Sequence, residues 1–322
     1  LNDIQSGINS LEEINLGGCK QWILIRGENV ENPVLLFLHG GPGFPEMPFT
    51  HIDSGLLEKH LIVVNWDQRG AGKSYNEDIP KESLNIAQFL SDTRELIQLL
   101  KTRFDKRRIF LLGHSWGSVL GLYTAHRHPE DLYAYIGMGQ VINMMDGETS
   151  SYEYAFQRAE EANDKESQQL LLKIGRPPFK GGIEDLHIQR MVLAKYGGSF
   201  RKVSYAGLEE LRNGSPFYNE RDKNNFMSGY LFSITSLWDE LMQVDFFADI
   251  KEIRIPVYFF AGKYDYSAPF ELLKIYEKKL EAPYKEITWF LESGHWPNIE
   301  EPQVFQETII KIILSETKRG KS

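Results

Sequence analysis

A serine with a glycine two residues away on either side is the first place in this chain where chemistry is legible. In Gly113-His114-Ser115-Trp116-Gly117 the apolar run Ile109 to Leu112 ends at one glycine, and small and apolar residues recur at helical spacing after the other. A strand that turns into a helix over so few residues crowds its own backbone at the turning position. Glycines on both sides leave room, and the serine hydroxyl projects beyond the strand end, towards the positive N-terminus of the helix. A hydroxyl is a poor nucleophile at neutral pH; it needs a base, and the base needs an acid to orient it. Two later turns offer both. Asp265 lies in "FFAGKYDYSAP" and His295 in "LESGHWPNIEEP", each after an apolar run. The order serine, acid, histidine points to Ser115 as nucleophile, Asp265 as orienting acid and His295 as base. Asp265 also stands just ahead of an expected helix, where it is a candidate N-cap.

An attacked carbonyl builds negative charge on its oxygen, which must be met by fixed donors. "HGGPG" at 39–43 ends another apolar run, and its glycines let backbone N–H groups approach closely. The expected donors are the amides of Gly41 and of Trp116, the residue after the nucleophile. The loop has neither the Lys-Ser/Thr ending of a phosphate loop nor G-x-G-x-x-G spacing, so nucleotide binding is not expected.

The elements that must position these groups alternate along the chain. "EEINL" and "QWILIRG" read as an antiparallel pair around Gly17-Gly18. Runs at 33–38, 60–66 and 108–113 are continuous in apolar residues, as in strands buried on both faces, and "LYAYIGMG" at 132–139 reads as another strand. Between two of them, Ile86, Phe89, Leu90, Thr93, Leu96, Ile97, Leu100 and Phe104 make one helical stripe. From about 141 to 250 the reading is helical throughout. The strand grammar returns at 253–265 and 285–296, with helices at about 268–280 and 301–314. The expected fold class is α/β: a mostly parallel twisted sheet flanked by helices, built from 1–140 and 251–322, with a helical cap inserted at 141–250.

Composition narrows the function. The chain has 322 residues, 42% hydrophobic and 12% aromatic, enough for a sizeable core; its formal charge of −9 argues against a nucleic-acid binder. Its one cysteine, Cys19, allows no internal disulfide and no cysteine-ligated zinc site, and fits a reducing compartment. No apolar run is long enough to span a membrane. The expectation is a cytoplasmic protein without membrane insertion, with a signal or anchor removed ahead of Leu1 left open. "HRHPE" places His126 and His128 two apart at a helix end, where they do not share a face, so no metal site is expected.

"HGGPG", "DQRGAGKS", "GHSWGS", "GKYDYSAP" and "SGHWPNIEEP" together resemble the proline iminopeptidases among the α/β-hydrolases. The resemblance implies an inserted helical cap, a Ser115–Asp265–His295 triad, no metal or organic cofactor, and release of an N-terminal residue from a small peptide or amide. In that family cap carboxylates hold the substrate's α-ammonium, one of them in a motif resembling Glu-Asn-His-Tyr-Phe. The comparable stretch here, "FMSGYLF" at 226–232, has no acid. Glu148, Glu153, Asp239 and Glu240 are the alternatives, and Tyr152, Tyr154, Tyr230, Phe232 and Trp238 line a pocket or pack the cap. "DQRG" reads as a structural turn. A carboxylesterase acting on small esters, and a ligand-binding protein on a hydrolase scaffold, are the rival readings.

Overall fold

The computed structural model describes residues 7–52 and 55–319; the opening Leu1 lies outside them. Eight strands form one sheet: β1 Ile8–Leu16, β2 Cys19–Gly27, β3 Val34–Leu38, β4 Ile62–Asp67, β5 Ile109–His114, β6 Leu132–Met138, β7 Val257–Gly262 and β8 Lys285–Phe290. Their spatial order is β1-β2-β4-β3-β5-β6-β7-β8. β1 and β2 form an antiparallel hairpin, and β2 joins β4 antiparallel; every pairing from β4 to β8 is parallel.

All residues of β3, β4, β5 and β7 are buried. Successive side chains enter opposite layers, as the pleat requires. Leu36, Leu38, Val64 and Leu111 join the cluster under helices Ile86–Arg103 and Trp116–Arg127. Leu35, Phe37, Val63 and Leu112 join the cluster under helix Pro302–Arg319. Asn85 caps helix Ile86–Arg103 by accepting from the Gln88 amide. The last helix runs to Arg319, beyond the expected end, because Ile309, Ile312, Ile313 and Glu316 continue its buried face.

Between β6 and β7 the chain makes an excursion through helices Met144–Glu161, Lys165–Ile174, Ile183–Lys195, Tyr205–Asn213, Glu220–Leu241 and Phe246–Asp249. Its two ends meet: Met144 N–H donates to the Val244 carbonyl and Phe246 N–H to that of Ile142. Tyr152, Leu171, Leu186, Leu193 and Ile234 give it a separate apolar cluster. No helix among the described residues is long and apolar enough to cross a membrane.

Candidate active site

Because β3, β5, β7 and β8 run in one direction, the segments that follow them emerge at one edge of the sheet. Ser115 follows β5 with φ 53° and ψ −117°, a conformation that side-chain-bearing residues rarely hold. The flanking glycines are required by close approach. A Cβ at Gly113 would sit 2.3 Å from the Gly117 carbonyl oxygen, and one at Gly117 would sit 2.1 Å from that of Leu38. Ser115 N–H donates to the Met138 carbonyl at 2.9 Å, anchoring the turn to the end of β6.

Asp265 and His295 meet, with Oδ2 2.8 Å from Nδ1; they are 1% and 8% exposed. The other carboxylate oxygen, Oδ1, accepts from the amides of Ser267 and Ala268 at 3.0 and 2.9 Å. Asp265 therefore folds its own turn, and the helix begins later, at Phe270, with Pro269 as its N-cap. An Nδ1–H that donates to the carboxylate leaves Nε2 of His295 bare, the form a base needs.

The serine turn and the histidine loop touch through His114. Its Nε2 lies 2.9 Å from the His295 carbonyl oxygen, and the two imidazoles stand 4.8 Å apart between centroids. Burial, with His295 beside it, holds the His114 pKa well below the ordinary 6.5, so its ring is neutral and Nε2–H donates. Among the described residues, Ser115 Oγ and His295 share no hydrogen bond; apo sites often close that contact only around substrate.

The glycine loop is held by a chain of bonds. Trp116 Nε1–H donates to Gln68 Oε1 at 2.9 Å, Gln68 Nε2–H donates to the His39 carbonyl, and Gln68 N–H donates to His39 Nε2 at 3.1 Å. His39 Nδ1–H then donates to the Gly40 carbonyl at 2.8 Å. Burial lowers the His39 pKa to about 4, which keeps this relay neutral. Gly41 has φ 110°, and a Cβ there would meet the Gly43 and Phe44 nitrogens at 2.5 and 2.6 Å. Among the described residues the amides of Gly41 and Trp116 donate to no protein acceptor. Gln68, read from sequence only as part of a turn, thus fastens the two expected oxyanion donors to each other.

Two further groups carry no motif of their own. The cap loop at 197–203 lies across the acid and histidine loops: Tyr266 N–H donates to Gly198, His295 N–H donates to Ser199, and the Ser199 and Ser267 hydroxyls lie 2.9 Å apart. Glu300, buried, accepts from the amides of Arg201 and Lys202 on one oxygen and from Gly294 on the other. One carboxylate so ties the cap to the histidine loop. Glu300→Ala strands these donors, and hydrogen bonds to a charged group contribute about 1.5–3 kcal/mol each. The expected loss, measured by urea unfolding, is at least about 3 kcal/mol.

Residues 33–302 match the family model described as the alpha/beta hydrolase fold. The chain belongs to the α/β-hydrolase family. It is 37% identical over 308 residues to the "Probable aminopeptidase YbaC" of Bacillus subtilis (strain 168), covering 95% of this chain and 96% of that one. It is 26% identical to a "Proline iminopeptidase" of Chitinophaga pinensis over 91% of this chain and 93% of that one. The crystal structure of VinJ superposes with a TM-score of 0.71 at 20% identity, over 95% of this chain and 98% of that one.

In this α/β-hydrolase the sequence-nominated cap residues separate. Glu148 is 3% exposed; Arg190 pairs with its Oε1, and its Oε2 is buried without a partner among the described residues. It lines a cavity with Gln140, Ser267 and Ala268, beside the acid loop. Tyr230 packs edge-on against Phe44 of the glycine loop at 6.0 Å, its hydroxyl 3.1 Å from His187 Nε2. Glu153 is not brought to the site: it is exposed and pairs with Arg176 at 3.1 Å. Trp238 packs where the cap cluster meets the main core. Asp239 is exposed, and Glu240 accepts from the Ile86 amide at 2.8 Å, supporting a core helix. Tyr152 donates to the Leu171 carbonyl inside the cap, and Phe232 packs against the main core; Tyr154 stacks on Tyr266 at 3.6 Å. His126 and His128 take different partners, the Glu252 carbonyl and the Glu130 carboxylate.

Proposed function

We propose that this hydrolase is a serine aminopeptidase working through Ser115, His295 and Asp265. The observation that carries the reading is the Asp265–His295 pair, pinned to the Ser115 turn by His114. His295 Nε2 takes the Ser115 proton as Oγ attacks a substrate carbonyl. The amides of Gly41 and Trp116 receive the oxyanion, and the imidazolium passes its proton to the leaving amine. Water, activated by the same imidazole, then releases the acyl group. The expected partner is a small peptide or amide.

The aminopeptidase outcome is supported by the 37%-identical relative of that name. Within the cap, Glu148 Oε2 is the acceptor best placed for a substrate α-ammonium, since it is buried, without a partner among the described residues, and beside the acid loop. An esterase is the second reading, and one observation favours it: Arg190 already offsets the Glu148 charge. The test is a panel of a prolyl arylamide, its N-blocked form and a short acyl ester. The free amide is expected to turn over at least about tenfold faster than the blocked one, the loss of one charge-assisted bond. Equal rates on free and blocked amides, with faster ester cleavage, select the esterase.

A further inference from the structure

Outside the proposed triad, Glu46 is a buried carboxyl with one unpartnered oxygen among the described residues. It follows the glycine loop and is 4% exposed. Asn298, three residues past His295, donates its side-chain N–H to Glu46 Oε1. The remaining atoms of both groups, Glu46 Oε2 and Asn298 Oδ1, are buried with no partner among the described residues. Two buried acceptors, one on each side chain of a hydrogen-bonded pair, are costly if both stay bare. A carboxylic acid and a primary amide remove that cost together: the amide N–H donates to one carboxyl oxygen, and the acid O–H on the other donates to the amide oxygen.

We propose that Glu46 is a neutral acid paired with Asn298 through two hydrogen bonds, and that this pair positions the oxyanion loop against the catalytic-histidine loop. The two loops also meet through packing, with Phe44 and Phe49 against Trp296 at 5.4 and 6.1 Å. The acid–amide pair gives that apolar contact a fixed register. Charged groups around it do not compete for the carboxyl. Arg26 and Glu58, the other charged residues lining the adjoining cavity, are ion-paired at 3.0 Å. On the histidine loop, Glu300 and Glu301 turn onto the amides of Arg201, Lys202, Gly294 and Glu292. His51, on the loop of Glu46 itself, bonds the Pro48 carbonyl.

Burial pushes the Glu46 pKa up from 4.5 to about 8, against the weaker opposing effect of the Asn298 bond. The folded chain therefore keeps this proton at pH values where the unfolded chain has released it. The stability it contributes is complete below about pH 4.5 and is lost as pH rises through about 8.

The test compares the full chain with Glu46→Gln and Glu46→Ala. Glutamine keeps both hydrogen bonds and cannot ionise; alanine keeps neither. The melting temperature of the wild-type chain is expected to fall from pH 5 to 9 by more than that of Glu46→Gln, and Glu46→Ala to be the least stable of the three at pH 6. Asp67, whose pKa burial raises to about 7, gives both the wild type and Glu46→Gln the same slope and cancels in the difference. The second readout, which rests on the serine-hydrolase reading, is the rate of Ser115 labelling by a fluorophosphonate. Relative to its pH 7 value, the wild-type rate at pH 9 should be about tenfold below that of Glu46→Gln, following the neutral fraction. Parallel melting profiles for wild type and Glu46→Gln, or a Glu46→Gln chain as unstable as Glu46→Ala at pH 6, overturn the pair. Absence of labelling in all three chains counts against the serine-hydrolase reading alone, because the melting comparison needs no nucleophile.

Discussion

Ser115→Ala is expected to lower hydrolysis of the preferred substrate by about 10⁴- to 10⁶-fold, with thermal stability changed little. The size follows from what the hydroxyl alone supplies. In the proposed mechanism no acyl intermediate forms without Oγ, and the loop amides are left to polarise a carbonyl that only water attacks. Stability is spared because Ser115 Oγ has no hydrogen-bond partner among the described residues, while the backbone bonds of Ser115 to Met138 and Ser118 remain. Steady-state rates with a fluorophosphonate control check it: labelling should vanish in Ser115→Ala and persist in Ser118→Ala. A Ser115→Ala chain with more than about a tenth of wild-type turnover removes the serine mechanism.

Asp265→Asn is expected to cost about 10⁴-fold in kcat, for a reason visible in the turn around it. Oδ1 accepts from the Ser267 and Ala268 amides, and Oδ2 faces His295 Nδ1. An asparagine must keep its carbonyl oxygen on the two amides, so its NH₂ group faces the imidazole. Nδ1 is then forced to accept, the ring proton moves to Nε2, and the base has no lone pair for the Ser115 proton. The fold should tolerate the change, since the turn keeps both of its bonds. The measurements are kcat with melting temperature alongside. A loss in kcat matched by a collapse in melting temperature would mean that the turn, and not the tautomer, had failed.

Why these three candidates stood out in sequence, and the groups that hold them did not, has a physical explanation. Ser115 advertises itself because close approach demands glycine at 113, inside the turn, and at 117, against the end of β3, and both lie two residues from the serine. Asp265 and His295 follow runs apolar enough to be strands, and parallel strands deliver their ends to one edge. Glu300 carries no motif of its own. Its role exists only because the cap loop at 201–203 arrives beside it. Gln68 is similar: its use depends on His39, after β3, and on Trp116, which opens helix Trp116–Arg127.

The cap shows the sharper division. Its helices were readable from period, but which carboxylate turns inward was not. Glu148 and Glu153 lie five residues apart on one helix; the first is buried against Arg190 and the second is solvated with Arg176. Their separation depends on where helix Ile183–Lys195 packs, a long-range contact that no local pattern encodes. Sequence alone determined the family, the alternation of strand and helix, and the candidate reacting groups, because backbone sterics and burial periodicity act over a few residues. Only the tertiary structure decided the partners of those groups. Hydrogen bonding and desolvation are set by whatever side chains distant segments bring within about 3 Å.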